Sequence, residues 1–445
     1  MANKIIKFEP GAVHAERKKE KTKEVPKPVS EPVQVQQTPI HDEPDTAEHP
    51  ALKAEKTVPR ISKSLYKVAA VLLAAVLVLI VLENWENLSP GNVGEWIRTK
   101  AVGLGFGDGY PADLTGSVAE PGNFGSSSGN MYVVSDTALT VMNSSAKELF
   151  SARHSYNNPA VSEAGGRYLL YNMGGTGYQV ETSAGTQLSG VADCDITTGT
   201  ICNSGKFALA VQPADYAAEL RVYLKDGSEQ YQYRFADTYI SAVALNADGT
   251  KGAVASVVSR SGAIVSRITV FDFSQEEPVA QYESEGNLIV QLLWSDSNRI
   301  IAVGDAQTLV SDTKFNFEAY DYGGREVTDV CMTDSRAIVS VSNYAYGGSS
   351  TLLIFRDSAA PVEAELSGRA EWLSSAGGKA AALLADEVVS VDLSTGAVEA
   401  ACAISADTKA VAMADEGTVY LLGVKEIEKE NLKVIQEEEE LSPSA

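Results

Sequence analysis

Histidine is so scarce in this sequence that it limits the chemistry the chain could perform. Of the four histidines, His14, His41 and His49 lie in the polar N-terminal part, which leaves His154 for the remainder of the chain. A multi-histidine metal site cannot be assembled from one histidine. A Ser–His–Asp arrangement would depend on His154 alone, and we interpret it as a loop residue because it follows a predicted strand. We therefore predict neither a metal site nor a catalytic residue.

The other motifs with catalytic potential lack the elements that would position them. GSSSG at 125–129 matches the G-x-S-x-G nucleophile elbow, but no strand is predicted before it and no helix after it, so we interpret the match as chance. A glycosidase pair of carboxylates stays open, because such a pair needs only spatial proximity. We predict that the chain is not an enzyme and holds no cofactor. An exported hydrolase or quinoprotein-like oxidoreductase is the alternative.

The sequence has four cysteines, and all of them lie beyond residue 190: Cys194, Cys202, Cys331 and Cys402. They are too few for a disulfide framework, and no C-x-x-C pair suggests zinc. Cys194 and Cys202 flank a predicted tight turn and could bridge two strands. Buried free thiols are the other possibility.

The elements that must position any site form a repeat. An apolar alternating segment, a turn of Gly, Asp or Ser and a second apolar segment recur seven times, as in "ALNADGTKGAVASV" at 244–257. The turns centre on Gly165, Ser204, Asp248, Asp296, Asp334, Gly377 and Glu416, with spacings between 38 and 48 residues. Periods of this length that are filled with short strands are typical of β-propeller blades. No helical periodicity interrupts residues 131–423, so the fold class is all-β.

A second type of hairpin alternates with the first and supplies the outer strands, as in "ELRVYLKDGSEQYQYRF" and "VVSVDLSTGAVEAACAI". The series begins with an outer hairpin, "ALTVMNSSAKELFSA", and ends with an inner one. Pairing these two would close the ring and remove open sheet edges. We predict a seven-bladed propeller. Eight blades is the alternative, because "MYVVSD" at 131–136 has the pattern of an additional strand.

The N-terminal part has a different composition. Residues 1–63 are polar and rich in charge and proline, which is typical of disorder. The apolar run from Leu65 to Leu82, interrupted only by Lys67, is long enough for one transmembrane helix. Arg60, Lys63 and Lys67 precede the uninterrupted part of this run, Val68 to Leu82, and Glu83 and Glu86 follow it, which predicts that the N-terminus lies in the cytoplasm. We interpret this segment as a signal anchor because more than sixty residues precede it.

Beyond Lys67 the chain carries 23 Lys and Arg against 49 Asp and Glu. So acidic a surface disfavours binding to nucleic acids. The predicted organisation is a disordered cytoplasmic tail (1–63), a transmembrane signal anchor (64–85), a juxtamembrane helix and flexible spacer (86–130), the propeller (131–423) and an acidic C-terminal tail (424–445).

The inner hairpins, with "LNADGTKGAVASV" as the best example, resemble the WD40-like and quinoprotein-like repeats of bacterial surface proteins. With its charged tail, single span and exported propeller, the whole chain is similar to a clostridial family of single-pass membrane proteins that carry a domain of unknown function. The resemblance implies a fold and a location at the cell membrane with the propeller outside. It implies no activity and no site residue.

Long loops on one propeller face are the remaining candidates for a site. Three connections between second and third strands are long: "QPADYAAE", "SRSGAIVSR" and "SNYAYGGSS". They would expose Tyr216, Tyr344 and Tyr346, and exposed tyrosines are common in protein interfaces. We predict a membrane-anchored binding or scaffold module whose tyrosine-bearing face contacts an unknown protein or cell-wall partner.

Overall fold

The computed structural model describes residues 106–435. All regular elements in this range are β-strands, and none of its residues forms a helix that could cross a membrane. The predicted tail (1–63), transmembrane span (64–85) and juxtamembrane helix lie outside the described residues.

The strands form eight antiparallel sheets, which are the eight blades of a propeller. Blades 1 to 7 each take four consecutive strands. The two-residue strand β1 (Ala112–Asp113) comes first. Blade 1 contains β2 (Ala119–Ser127), β3 (Asn130–Ser135), β4 (Ala138–Met142) and β5 (Glu148–Arg153), and blade 2 contains β6 (Pro159–Ala164), β7 (Arg167–Asn172), β8 (Gly177–Thr182) and β9 (Gly185–Val191). Blade 3 contains β10 (Asp195–Ile201), β11 (Phe207–Gln212), β12 (Ala218–Tyr223) and β13 (Glu229–Phe235), and blade 4 contains β14 (Tyr239–Leu245), β15 (Lys251–Arg260), β16 (Ala263–Asp272) and β17 (Ala280–Glu285).

Blade 5 contains β18 (Ile289–Trp294), β19 (Ile300–Gly304), β20 (Gln307–Ser311) and β21 (Phe317–Asp321). Blade 6 contains β22 (Glu326–Met332), β23 (Ala337–Ser342), β24 (Ser350–Phe355) and β25 (Val362–Glu365). Blade 7 contains β26 (Trp372–Ala376), β27 (Lys379–Leu383), β28 (Glu387–Asp392) and β29 (Val398–Ala403). Blade 8 has β30 (Ala410–Asp415), β31 (Thr418–Leu422) and β32 (Glu426–Asn431), with β1 as its fourth strand. The short strand β33 (Lys433–Val434) pairs with β29 as a fifth strand of blade 7.

The inner turns follow from their sequences. In the turn between β14 and β15, Oδ1 of Asn246 accepts the N–H groups of Thr250 and Lys251 at 3.0 and 2.9 Å. Gly249 has a φ of 62°, a left-handed conformation that glycine adopts without strain. All seven turns predicted from the repeat join the first and second strands of a blade.

The hydrophobic core is divided among the contacts between blades. The buried apolar residues form eight clusters, and each cluster combines residues from two neighbouring blades. Between blades 3 and 4, for example, Phe235 packs with Val254 and Phe271. Because a blade buries its faces only against its neighbours, every blade depends on both of them for stability.

The predicted number of seven blades is wrong, and the alternative of eight matches the structure. The missed inner hairpin is β2–β3, and it turns at Ser128 and Gly129. β2 was assigned to the flexible spacer because it contains Pro121, Gly122 and Gly125, which are uncommon inside strands. Its register with β3 shifts between Ala119 and Phe124, and this irregularity accommodates the proline and the first glycine.

The ring is closed by strands from both ends of the described region, but not by the pairing that the sequence predicted. The hairpin β4–β5, which was expected to close the ring, belongs to blade 1 together with β2 and β3. Blade 8 is closed instead by β1, which pairs with β32 through Ala112–Ile427 and Asp113–Glu426. The Tyr420 hydroxyl donates to the carbonyl of Gly129 at 2.8 Å and links blade 8 to blade 1.

The predicted bounds of the propeller are therefore too narrow at both ends. Residues 86–130 were expected to contain a spacer, yet they include the whole of β1 and β2. Residues 424–445 were expected to be a solvated acidic tail, yet they include β32 and β33. Charge misled the prediction for residues 424–445. The outer strands of a propeller face solvent, so they tolerate Glu and Lys, and Ile427 is the one residue of β32 that is buried in the interface between blades 8 and 1.

Polar side chains on the first strands connect successive blades around the central channel. The Ser162 hydroxyl accepts the N–H of Ile201 in the next blade at 3.2 Å, and the Ser374 hydroxyl accepts that of Met413 at 2.9 Å. Asp329 does the same with its carboxylate, which accepts the N–H of Leu373 at 2.6 Å. Burial raises the pKa of Asp329 to about 6, although the N–H groups of Leu373 and Val330 oppose this effect.

The alternating strand directions define two faces of the propeller. The face that we call the loop face carries the connections from second to third strands and from each blade to the next. The opposite face, which we call the turn face, carries the connections from first to second and from third to fourth strands. The described region begins at the turn face, where the N–H of Gly107 donates to the Ser145 hydroxyl of a blade 1 turn. It also ends on the turn-face side, where the N–H of Ile435 donates to the carbonyl of Glu399.

If β32 is an integral strand, Ile427→Ala should lower the free energy of unfolding by about 2 to 5 kcal/mol, because the wholly buried side chain would leave a cavity. Val424 precedes the same strand and is 45% exposed, so Val424→Ala should change stability by less than about 0.5 kcal/mol. Urea denaturation of both variants measures the difference. Equal, small effects would contradict the assignment of β32 to blade 8.

Asp329→Asn should make the protein more stable at neutral pH. The folded chain, in which the pKa of Asp329 is about 6, retains a proton that the unfolded chain releases near pH 4. The stabilising contribution of the protonated Asp329 carboxyl is therefore complete below about pH 4 and is lost as the pH rises through 6. Asparagine keeps an oxygen for the Leu373 N–H but has no charge.

The thermal midpoint of both proteins, measured between pH 4 and pH 8, tests this prediction. We expect the thermal midpoints of the two proteins to be similar near pH 4. At pH 7.5 the variant should be more stable by about 1 kcal/mol, a figure reduced for screening by solvent because Asp329 is only partly buried. Parallel pH profiles would show that Asp329 does not titrate in this range.

Candidate functional site

Exposed apolar side chains are concentrated on the loop face. Among the described residues, fourteen large apolar or aromatic side chains are exposed to solvent, and ten of them lie at loop-face connections or at the strand ends that border them. These ten are Val118, Met173, Val191, Tyr216, Tyr239, Ile264, Val290, Tyr344, Tyr346 and Val424. Phe106, Val434 and Ile435 lie at the ends of the described region, and Val279 lies on the turn face. A concentration of exposed apolar side chains on one face favours a docking site there.

Tyr344 and Tyr346 lie together in the blade 6 loop between β23 and β24, as predicted. Tyr346 is 94% exposed, whereas the Tyr344 ring lies against the loop backbone at Gly348. Gly348 has a φ of 76°, and a Cβ there would come within 2.6 Å of that ring, so the loop requires glycine at this position. Nη1 of Arg369 donates to the Tyr344 carbonyl at 2.5 Å and ties the loop to the connection between blades 6 and 7.

Tyr216 lies in the blade 3 loop between β11 and β12, on the same face as the other two tyrosines. The Arg234 guanidinium lies over its ring, 5.2 Å from the centroid, in a cation–π contact. Arg234 is itself fixed by Glu219, whose Oε2 accepts its Nε–H at 2.9 Å. The ring is thus held in place on one side while 39% of the residue stays exposed. Blades 4 and 5 separate it from the loop of Tyr344 and Tyr346.

The third predicted loop, "SRSGAIVSR", is wrong as a loop. The structure has a two-residue turn, Ser261 and Gly262, at the end of a hairpin in which β15 and β16 are ten residues long each. Alternating apolar residues continue to the end of this hairpin, and Ile264 is exposed there. The hairpin therefore contributes an apolar side chain to the loop face without a flexible segment.

Sequence reasoning missed the apolar residues that lie at strand ends. Tyr239 is the first residue of β14, Val290 is the second residue of β18, and Val191 is the last residue of β9. Inside a strand such residues would be assigned to the core. Only the strand bounds show that they extend past the packed layer, so the sequence pattern held no direct signal for them.

The central channel offers a second concave region, open at the turn face. A cavity of about 460 Å³ lies among the ends of the first strands of blades 2 to 6, with Glu163, Trp294, Asp296 and Asp334 in its lining. Burial raises the pKa of Glu163, and the charge of Asp334 adds to this effect. Oε1 of Glu163 already accepts the Ser127 hydroxyl at 2.7 Å and the Gly166 N–H at 2.9 Å, so this carboxyl connects blades 1 and 2.

The motifs considered for catalysis have structural roles. His154 lies in the connection between blades 1 and 2, with Nε2 3.0 Å from the Ser135 carbonyl oxygen and Nδ1 accepting the Tyr156 N–H at 3.2 Å. GSSSG ends β2 and forms the turn that follows, and the Ser126 hydroxyl donates to the Met413 carbonyl of blade 8. The described residues contain no cluster of three His, Cys, Asp or Glu side chains that could hold a metal ion.

The bridge between Cys194 and Cys202 does not form, and all four cysteines are free thiols. The two residues flank the seven-residue strand β10 rather than a tight turn. A strand of that length separates its ends by roughly 23 Å, far beyond the reach of a disulfide.

Comparison with solved structures agrees with the propeller fold. The computationally designed Ika8 protein has a TM-score of 0.51 at 13% identity, with 73% of this chain and 98% of that chain covered. A quinohemoprotein alcohol dehydrogenase, ADHIIG from Pseudomonas putida HK5, has a TM-score of 0.50 at 9% identity, with 76% and 78% covered. BamB from Moraxella catarrhalis has a TM-score of 0.46 at 10% identity, with 72% and 100% covered. At these identities the likeness concerns the fold alone.

No curated protein matches the sequence. A family match covers residues 116–436, nearly the whole of the described propeller. The chain therefore belongs to DUF5711, a family of unknown function.

Proposed function

We propose that this chain is a binding or scaffold protein whose loop face engages a protein or another component of the cell envelope. The observation that carries the proposal is the concentration of exposed apolar side chains on that face. Soluble surfaces rarely keep such residues together without a partner, and tyrosine is enriched in the centres of interfaces. Tyr216, Tyr344 and Tyr346 would be contact residues.

The course of the chain supports this choice of face. The described region begins near Gly107 and ends near Ile435, on the turn-face side of blades 1 and 7, the two neighbours of blade 8. The loop face is therefore free of both of these ends. A partner could cover it without displacing the strands that close the ring.

The proposal includes a location. The predicted span at 64–85, with Arg60 and Lys63 before it and Lys67 near its start, would hold the chain in the cell membrane with the N-terminus inside and the propeller outside. That the chain is not an enzyme stays a prediction.

A photo-crosslinking amino acid placed at position 216 or 344 of the full-length protein in cells should yield one common adduct. Position 279 is the control, because Val279 lies on the turn face and its exposure of 41% matches the 39% of Tyr216. Adducts from 216 and 344 that are absent from 279 would support the loop face as the docking site. Adducts of equal yield at all three positions, or none at 216 and 344, would refute it.

Labelling with a membrane-impermeant maleimide tests the location. Tyr346→Cys should be labelled in intact cells because the side chain is 94% exposed on the propeller. Pro28→Cys, in the predicted cytoplasmic tail, should be labelled only after the membrane is permeabilised. The unsubstituted protein measures the background from the four native cysteines. Labelling of both positions in intact cells, or of neither, would contradict the proposed orientation.

A further inference from the structure

We infer that the partner of the loop face presents apolar side chains bordered by lysine or arginine side chains, and that it docks on blades 2 to 5. This inference rests on the proposed function and adds the chemistry of the partner. The surface in question consists of the seven loop-face connections between β7 and β20, with the strand ends beside them. We call it the acidic arc.

The apolar part of the acidic arc is distributed along consecutive blades. Six of the ten exposed apolar residues of the loop face belong to it: Met173, Val191, Tyr216, Tyr239, Ile264 and Val290. Each of blades 2, 3, 4 and 5 contributes at least one of them. A partner that follows the arc can therefore bury an apolar side chain at every blade, which favours binding.

The charged residues of these connections all have the same sign. The connections are residues 173–176, 192–194, 213–217, 236–238, 261–262, 286–288 and 305–306, and they contain four aspartates but no lysine or arginine. The four are Asp193, Asp215, Asp237 and Asp305, all exposed. Acidic groups interspersed with apolar ones favour a partner with the reverse charge at the edge of its apolar surface.

The arginines near the acidic arc are already matched by carboxylates. Arg221 contacts Asp193 at 2.6 Å and Glu219 at 2.5 Å. Arg234 also contacts Glu219, whereas Arg260 and Arg267 share Glu283, each at 2.8 Å.

Within the described region, by contrast, Asp215, Asp237 and Asp305 have no lysine or arginine within salt-bridge distance. Asp305 already accepts the N–H of Leu288 at 2.7 Å, but no ion pair among the described residues neutralises any of the three, so their negative charge can act on a partner. At physiological ionic strength it acts over about 8 Å, which is enough to orient a protein on approach.

The same charges argue against two other occupants. A nucleic acid would bring phosphates to a surface of aspartates, which is unfavourable. A second copy of this chain, related by a twofold axis, would place the aspartates of one acidic arc opposite those of the other. A different protein with a basic rim meets neither penalty.

The inference can be tested with the full-length protein, purified in detergent, and a synthetic amphipathic peptide of leucine and lysine as the probe. The loop-face variant is Asp215→Asn with Asp237→Asn. The matched control is Glu276→Gln with Glu277→Gln, which removes the same charge from the turn face of blade 4. Neither pair has a salt-bridge partner among the described residues, so both variants should fold normally, which circular dichroism and thermal melting confirm.

Fluorescence anisotropy should show that the loop-face variant binds the peptide about fivefold more weakly than the wild type, and the control less than about twofold more weakly. A peptide of leucine and glutamate should not bind. An apolar pair gives a second readout: Tyr239→Ser should weaken binding, and Val279→Ser on the turn face should not. Equal losses in the loop-face and control variants would overturn the inference, because binding would then reflect only the overall negative charge.

These results separate the inference from the proposed function. If crosslinking at 216 and 344 captures a common partner in cells but the aspartate variant leaves that adduct unchanged, the docking face is correct and the basic chemistry of the partner is wrong. If neither position forms an adduct, the proposed function fails, whatever the peptide does.

Discussion

The structure depends on the burial of each blade against its two neighbours. A four-stranded sheet of this kind has two apolar faces, and the eight buried clusters show that each face is covered by the adjacent blade. An open ring would leave one face of blade 8 and one of blade 1 exposed to water, so closure is an energetic requirement. The polar contacts around the channel, from Ser162, Asp329 and Ser374, add directed bonds to this undirected attraction.

The loop face can carry apolar residues because it does not take part in this packing. Its side chains lie beyond the ends of the buried layer, so Tyr239 and Val290 are exposed although they belong to strands with buried cores. Turn residues of the opposite face, such as Asn246 and Asp248, are occupied with backbone hydrogen bonds that form the turns. The two faces therefore differ in their surface: exposed large apolar side chains are more numerous on the loop face than on the turn face.

The sequence allowed the repeat, the propeller and the position of the three tyrosines to be predicted, because turns with glycine, asparagine and aspartate recur at regular intervals. It indicated the eighth blade only as an alternative, through the extra strand at 131–136, since β2 contains Pro121 and two glycines and its place in the sheet depends on β3 beside it. It did not reveal β32, in which one buried residue, Ile427, is surrounded by charge. In both cases the strand is defined by its neighbours in space, and local propensity carries little information about them.

The manner of closure sets the order in which the protein can be completed. The strand that seals blade 8 is among the first described residues to be synthesised, and its partner is among the last, because Ala112 of β1 pairs with Ile427 of β32. The strand β1 therefore has no partner strand until nearly the entire ring has been synthesised. Contacts so distant along the chain assemble slowly, and incomplete rings expose apolar sheet faces during that time. A factor that covers the apolar sheet faces of the incomplete ring until blade 8 has formed would therefore assist the folding of this protein.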